Sequence, residues 1–321
     1  MTGGAGGTFE AELILCVDGG GTSTRARLYS ASGDRLAEAR AGSCNVSTDP
    51  LESAASVAEA WQHCAASIAH DPAQLGAVRS VIGAAGTLPP KSRAAFEAAL
   101  PAFASCEIVT DGYAALIGAG GGRPGGLLIA GTGAVAHRLL EDGRSIRRDG
   151  FGWAGGDRGS GFWIGRKVLR HGVRTLEGLA PETLLSRVLL DRLGGFQGYQ
   201  DMASSLRPVH VAGLAPLALE AAEAGCPRAR QILNDATGQL AELVGLLDLP
   251  KDAPLYFQGG LAEALRDGLA ERIGRGFQTS QADAVEGCRL IAMGLAPREI
   301  TAAVGYPDPS LVQDRPEAGK P

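Results

Sequence analysis

Leu13-Ile14-Leu15-Cys16-Val17-Asp18-Gly19-Gly20-Gly21-Thr22-Ser23-Thr24 is the stretch that decides the architecture. Five consecutive apolar residues end in an acid, three residues without Cβ and a run of hydroxyl side chains. A continuous apolar run closed by a turn signal is the pattern of a strand buried on both faces. From Thr24 to Ser30 apolar and polar residues alternate as in a second strand, and Ala31-Ser32-Gly33-Asp34 turns into a third that runs through Ala39. Phosphate oxygens accept from N–H donors at about 2.9 Å, and side chains at Gly19, Gly20 and Gly21 would hold them off. Thr22, Ser23 and Thr24 add hydroxyl donors, and Asp18 can hold Mg2+ directly or through water. The segment is not a Walker A loop, because it has no Gly-Lys-Ser/Thr. It is not a dinucleotide-binding turn either, because a strand rather than a helix follows. Taken alone, it serves equally well as a tight hairpin.

The pattern returns later in the chain. Gly126-Leu127-Leu128-Ile129-Ala130 reads as a buried strand, Gly131-Thr132-Gly133 as its turn and residues 134–140 as the returning strand. A turn at Asp142-Gly143 then leads into a third strand. The interval from Gly21 to Gly33 equals that from Gly131 to Gly143, so two related domains are implied. Such ribbons present backbone N–H groups to an anion, whereas two unrelated hairpins would be the plain alternative. The short strand Leu255-Tyr256-Phe257 ends in Gln258-Gly259-Gly260, a third glycine turn that opens a helix, whose amino end favours a phosphate or lies against an adenosine.

Between these landmarks the pattern alternates strand and helix. Thr48 and Asp49 are helix-capping candidates, with Pro50 in the first turn and Leu51, Ala54, Ala58, Trp61, Ala65 and Ile68 on one face. A buried strand is predicted from Val78 to Ala84, a helix from Pro89-Pro90 through Leu100, and a strand over 107–110 with Asp111 at its carboxyl end. The glycine burst over 118–126 marks a boundary or hinge. Beyond Gly161 the chain reads as mostly helical, with amphipathic patterns at 163–173, 181–193 and 216–247 and a last helix over 283–294. This gives an amino-terminal lobe over 12–118, a carboxyl-terminal lobe over 119–303, and flexible ends at 1–11 and 307–321.

Composition bounds the function. A chain of 321 residues with 45% hydrophobic and 20% charged residues is an ordinary globular chain of about two domains. Its 47 glycines are about twice the usual share, but they have no Gly-X-Y period. A net charge of −5 argues against nucleic acid or an anionic membrane as partner. The six cysteines are far apart, with no Cys-x-x-Cys pair, as expected of reduced thiols. No basic leader and no apolar run near the ~18 residues of a membrane span are evident, so a cytoplasmic protein is expected. The five histidines (His63, His70, His137, His171, His210) show no ligand spacing and are expected on the surface or on helices.

Three glycine turns in this order carry a resemblance. The chain resembles the actin-like ATPase superfamily of sugar kinases, hexokinases and chaperone ATPases, which implies a two-lobed α/β, ribonuclease H-like fold with duplicated mixed-sheet domains. Within it, the chain is similar to the N-acetylglucosamine kinase and glucosamine kinase group, classed with the BadF/BadG/BcrA/BcrD-type ATPases. The matching segments are Val17-Asp18-Gly19-Gly20-Gly21-Thr22, Gly42-Ser43-Cys44-Asn45, Thr110-Asp111-Gly112-Tyr113-Ala114-Ala115, Ile129-Ala130-Gly131-Thr132-Gly133, Gly156-Asp157-Arg158-Gly159-Ser160-Gly161 and Gln258-Gly259-Gly260. They span about residues 12 to 300.

The resemblance implies ATP and Mg2+ as cofactors and transfer of the γ-phosphoryl to the 6-hydroxyl of N-acetyl-D-glucosamine, or of glucosamine, between two lobes that close over both substrates. Asp18, Gly19, Gly20, Gly21, Thr22, Ser23, Gly131, Thr132, Gly133, Gly259 and Gly260 would hold ATP, with Asp18 on the metal. Asp111 would accept the proton of the sugar hydroxyl; a helix N-cap is its plainer role. Asn45 and Asp157 would bind ring hydroxyls or the 2-substituent, although Asn in a turn and Asp in a loop need no such role. A homodimer is implied as well. Trp153 and Trp163 flank the 156–161 loop, and burial is the expectation for both, with stacking of Trp153 on a sugar face as the alternative. In one place the sequence departs from the pattern: Arg158 stands where the group commonly has an acid. If its side chain points inward, it weighs against a glucosamine ammonium. A different reading within the wider family, an ATPase activator of a radical dehydratase, would need cluster-binding cysteines, and none lies between Cys106 and Cys226. An actin-like ATPase that touches no sugar would have no use for Asp111 and the 156–161 loop.

Overall fold

The structure is a computed structural model that describes residues 12–204 and 207–300. The predicted flexible ends, 1–11 and 307–321, lie outside the described residues. The chain divides into two compact units: residues up to Pro124 together with Thr279–Glu299, and Gly125–Gln278.

The first unit opens with the decisive stretch as β1 (Leu13–Gly19), which is central and buried. It pairs antiparallel with β2 (Thr24–Ser30), whose other edge takes β3 (Arg35–Ala41). On its far side β1 runs parallel to β4 (Val78–Ala84), followed by β5 (Ser105–Thr110), so the order is β3-β2-β1-β4-β5. Parallel neighbours need a crossover, and α1 (Pro50–Ser67) and α2 (Pro90–Ala99) supply them. Asp49 starts α1 by accepting from the N–H groups of Leu51 and Glu52. The face of α1 that carries Ala54, Val57, Trp61, Cys64 and Ala65 is buried against the sheet. Next comes α3 (Asp111–Gly120), buried along its whole length after the first residue.

The second unit repeats the plan. β6 (Gly125–Ala130), β7 (Ala134–Leu139) and β8 (Ser145–Asp149) form an antiparallel ribbon, and β9 (Leu255–Gln258) lies parallel to β6, giving β8-β7-β6-β9. Its helices are α4 (Gly161–Leu176), α5 (Leu184–Leu193), α6 (Gly195–Ser204), α7 (Pro208–Ala212), α8 (Ala215–Glu223), α9 (Pro227–Gly245) and α10 (Ala262–Ile273). The pattern predicted over 216–247 is two helices, because Gly225 adopts φ +89° and Pro227 begins a new one. The pattern over 181–193 starts later than its periodicity suggests, since Thr183 and Ser186 form a capping box.

Two expectations are corrected by packing. The last helix, α11 (Ala284–Ala292), belongs to the first unit rather than to a lobe running through 303. Gly118 and Gly287 leave no room for a Cβ, so α3 and α11 approach backbone to backbone, and Cys288 Sγ donates to Val17 O at 3.3 Å. His137 is neither on the surface nor on a helix. It is buried in β7, and burial, with Arg147 adding, pushes its pKa down to about 3. Among the described residues no helix is long and apolar enough to cross a membrane.

Candidate functional site

In the first unit the sheet register aligns the predicted residues along one edge. Gly19 on β1 sits opposite Ala84 on β4, which sits opposite Thr110 on β5, so Asp18 with the glycine turn and Asp111 stand at the carboxyl ends of the two strands that flank β4. The turn is closed by Gly20 N–H donating to Ser23 O at 3.0 Å, with Thr22 and Ser23 exposed. A Cβ on Gly19 would fall 2.6 Å from Cys44 Sγ, and the N–H of Cys44 donates to Gly20 O at 2.8 Å. The 43–45 segment is therefore seated under the turn. Asn45 pairs with Ala85 just past β4, and a Cβ on Gly21 would lie 3.9 Å from its Nδ2. Ser47 Oγ donates to Asn45 Oδ1 at 2.8 Å.

Asp18 accepts from Arg25 Nη2 at 2.7 Å, and Arg25 also reaches Asp283 at 3.4 Å. Asp283 takes both Nη groups of Arg27 at 2.9 and 2.8 Å and caps α11 through the Glu286 N–H. Burial works to raise the Asp283 carboxyl, but the Arg27 bonds, the Glu286 N–H and the charges of Arg27 and Arg25 together hold it below its ordinary range. Among the described residues no group of three His, Cys, Asp or Glu side chains could hold a metal. One half-buried carboxylate at a phosphate-type turn nevertheless suits Mg2+, which keeps most of its waters and takes one or two carboxylates plus phosphate oxygens.

Asp111 is the first residue of α3, and the cap is its neighbour: Thr110 Oγ1 accepts from the Tyr113 N–H at 3.2 Å. Asp111 therefore sits half-buried in the first turn, one residue past the cap. Glu299 holds this corner together, accepting from Thr110 N–H at 2.7 Å and Thr110 Oγ1 at 2.8 Å. Burial, with the Asp111 charge adding to it, raises the Glu299 carboxyl above its usual range. Nothing in the sequence signals Glu299, which lies 189 positions from its partner.

In the second unit the Gly131-Thr132-Gly133 turn is fixed from its carbonyl side. Gly131 N–H donates to Gly133 O at 2.9 Å, while the N–H groups of Gly161 and Phe162 at the start of α4 donate to Gly131 O at 2.8 Å and Thr132 O at 3.1 Å. The third turn lies alongside: Leu261 N–H donates to Ala130 O at 3.1 Å, and a Cβ on Gly131 would stand 3.9 Å from Gly260 N. Gly259, at φ +100°, would drive a Cβ into Ala130. Asp157 joins this group. Its Oδ1 accepts from Ala134 N–H at 3.1 Å and occupies the space a Cβ on Gly133 would need, at 2.7 Å. Burial and the nearby Asp149 charge raise its carboxyl above the ordinary value, although the Ala134 N–H opposes them. Asp157 thus borders the second glycine turn, whereas Asn45 belongs to the first unit. Trp153 is not buried. It is 54% exposed and rests its ring 5.7 Å from that of Phe162.

Residues 15–292 match the BadF/BadG/BcrA/BcrD ATPase family. The glucosamine kinase of Vibrio cholerae is 26% identical over 86% of this chain and 94% of its own length. The N-acetyl-D-glucosamine kinase of Dictyostelium discoideum is 31% identical over 49% of this chain and 54% of its own. Among solved structures, an N-acetylglucosamine kinase candidate of Chromobacterium violaceum superposes with a TM-score of 0.83 at 31% identity, over 88% of this chain and 99% of that one. A match over this much of the sequence settles the membership: the chain belongs to the BadF/BadG/BcrA/BcrD ATPase family, with the two-domain, actin-like ATPase fold of its sugar-kinase relatives.

Proposed function

We propose that this protein is an ATP-dependent amino-sugar kinase that phosphorylates the 6-hydroxyl of N-acetyl-D-glucosamine. The observation that carries the reading is the aligned end of the first sheet, where the glycine turn follows β1, the carboxylate of Asp111 follows β5, and Asn45 pairs with Ala85 just past β4 between them. Phosphoryl transfer needs positioning and charge neutralisation rather than a covalent intermediate, and those are the roles these residue types supply. The turns Gly19-Gly20-Gly21 and Gly131-Thr132-Gly133 would each offer N–H groups to phosphate oxygens, with the Thr22 and Ser23 hydroxyls beside the first. Gly259-Gly260 would let the nucleotide approach the backbone closely. Asp18 would hold Mg2+, which offsets phosphate charge when bound; Arg25, already on one of its oxygens, keeps the carboxylate in place. Asp111 would take the proton of the attacking sugar hydroxyl, and Asn45 and Asp157 would bind sugar polar groups. A cytoplasmic homodimer is the assembly we expect.

Glucosamine is the second reading, favoured by the Vibrio cholerae relative. Coupled ATP-to-ADP assays on N-acetylglucosamine, glucosamine, N-acetylmannosamine and glucose decide between them. The proposal expects the highest kcat/KM on N-acetylglucosamine, with phosphate on the 6-position by NMR. A panel in which no sugar raises turnover above the basal rate refutes it.

A further inference from the structure

Arg158 stands at the family's usual acidic position, and the structure shows what it holds. Its Nε donates to Asp149 Oδ2 at 3.1 Å, and its Nη1 lies 3.7 Å from Glu242 of α9. Asp149 is the last residue of β8, and its side chain is 1% exposed. It does more than answer the arginine. Its Oδ1 accepts from Asp157 N–H at 2.8 Å and its Oδ2 from Arg158 N–H at 3.2 Å, so one buried carboxylate gathers two backbone donors and a guanidinium. Arg147 ties the backbone behind it, donating to Asp149 O and Gly150 O, each at 3.2 Å.

The backbone explains why such an anchor is needed. Asp149 and Asp157 both lie in the left-handed region, at φ +62° and +55°, where residues with a Cβ sit only when their surroundings hold them. Gly156 is packed so closely against Phe151 and Asp149 that a Cβ would fall 3.0 Å from Phe151 N. The far end of the loop is equally committed: Asp157 Oδ1 holds the Ala134 N–H that follows Gly131-Thr132-Gly133. Asp149 is therefore joined to the second glycine turn through a single intermediate residue.

We infer that Asp149 is a positioning residue for phosphoryl transfer, which with Arg158 as its counter-charge fixes Asp157 and, through Asp157, the Gly131-Thr132-Gly133 turn. The kinetic part of this inference rests on the kinase reading. One consequence concerns specificity. The Arg158 charge is taken up by Asp149 and Glu242, so it gives no ground for expecting rejection of a cationic 2-substituent.

The test uses the full chain and the variants Asp149→Asn, Arg158→Met and their combination. Asp149→Asn keeps the volume and removes the charge. Its kcat/KM should fall about 10²-fold, as expected when a reacting group is displaced by an ångström. The loss should include a raised KM for ATP or sugar, and the amides of Ala134, Asp157 and Arg158 should exchange hydrogen faster while the β6–β7 ladder stays protected. The double variant should be no worse than Asp149→Asn, since both changes break one arrangement. Additive losses, or a fall in kcat alone that tracks the unfolded fraction with all three amides still protected, would overturn the inference. If Asp149→Asn does not fold, Arg158→Met carries the same exchange test, because Arg158 is partly exposed. If the wild-type protein phosphorylates no sugar, the kinase reading fails by itself. The exchange pattern and binding of ADP by the variants then decide this inference, and unchanged exchange with unchanged ADP affinity overturns it.

Discussion

Gly259→Ala isolates the claim that glycine at the third turn is there for close backbone approach. Gly259 adopts φ +100°, and a methyl group built on it falls 2.6 Å from the carbonyl carbon of Ala130 and 3.0 Å from its nitrogen. Ordinary contact between such atoms is about 3.5–4.0 Å, so the turn or β6 must move by close to 1 Å. Holding a non-glycine residue in that conformation costs about 1–3 kcal/mol before the collision is counted, so about 3 kcal/mol of lost stability is expected. The neighbouring Gly260 provides the control: its φ is not positive and no atom lies within 4 Å of a built Cβ, so Gly260→Ala should stay within about 0.5 kcal/mol of wild type. Because Ala130 leads directly into Gly131-Thr132-Gly133, a 1 Å shift should also cost about 10²-fold in kcat/KM for ATP. Urea unfolding followed by tryptophan fluorescence, with Trp153 and Trp163 as reporters in the second unit, measures the first effect; steady-state kinetics at varied ATP measures the second. Equal stability for the two alanine variants would refute the close-approach argument.

Asp111→Asn should lower kcat by about 10²–10⁴-fold while ATP affinity stays near wild type, measured by coupled assay and calorimetry; wild-type turnover would show that another group takes the proton. Asp283→Asn should retain the α11 cap but weaken the Arg27 pair, at about 1–3 kcal/mol, and Asp283→Ala should lose about 1 kcal/mol more with the cap; equal unfolding midpoints for both variants count against this division. For His137 the folded pKa, about 3, lies below the unfolded value of about 6.5. Its contribution is therefore fully present above pH 6.5 and is lost as pH falls toward 3, at up to ~1.4 kcal/mol per pH unit. Urea midpoints at several pH values should fall more steeply for wild type than for His137→Gln, and parallel slopes would dismiss the histidine as their cause.

The strands and the first two glycine turns were legible because their signals are local. An apolar run ending in glycines states both the strand and its end, and the equal spacing of Gly21–Gly33 and Gly131–Gly143 stated the duplication. Helix limits were legible where a cap or a proline fixes them, as at Asp49 and Pro50, and misread where periodicity ran across Gly225. The candidate site residues could be proposed from the sequence by type alone. What Asp157 touches was not, because its contact with Ala134 depends on a loop held open by Asp149, and no pattern in the sequence marks a buried carboxylate that collects backbone N–H groups. Arg25 and Glu299 escaped for the same reason, since each is defined by a partner rather than by its neighbours in the chain.

By itself, then, the sequence determined what short-range chemistry can dictate: two copies of a strand–turn ribbon, turns where backbone must lie bare, and a family whose motifs name the residue types of the site. Only the tertiary structure decided where the last helix packs, which of Thr110 and Asp111 caps α3, and whether the Arg158 charge is offered to a ligand or consumed by Asp149 and Glu242. Those outcomes depend on which distant atoms share a few ångströms of space. Close packing sets that through the whole fold at once, so no window along the chain contains it.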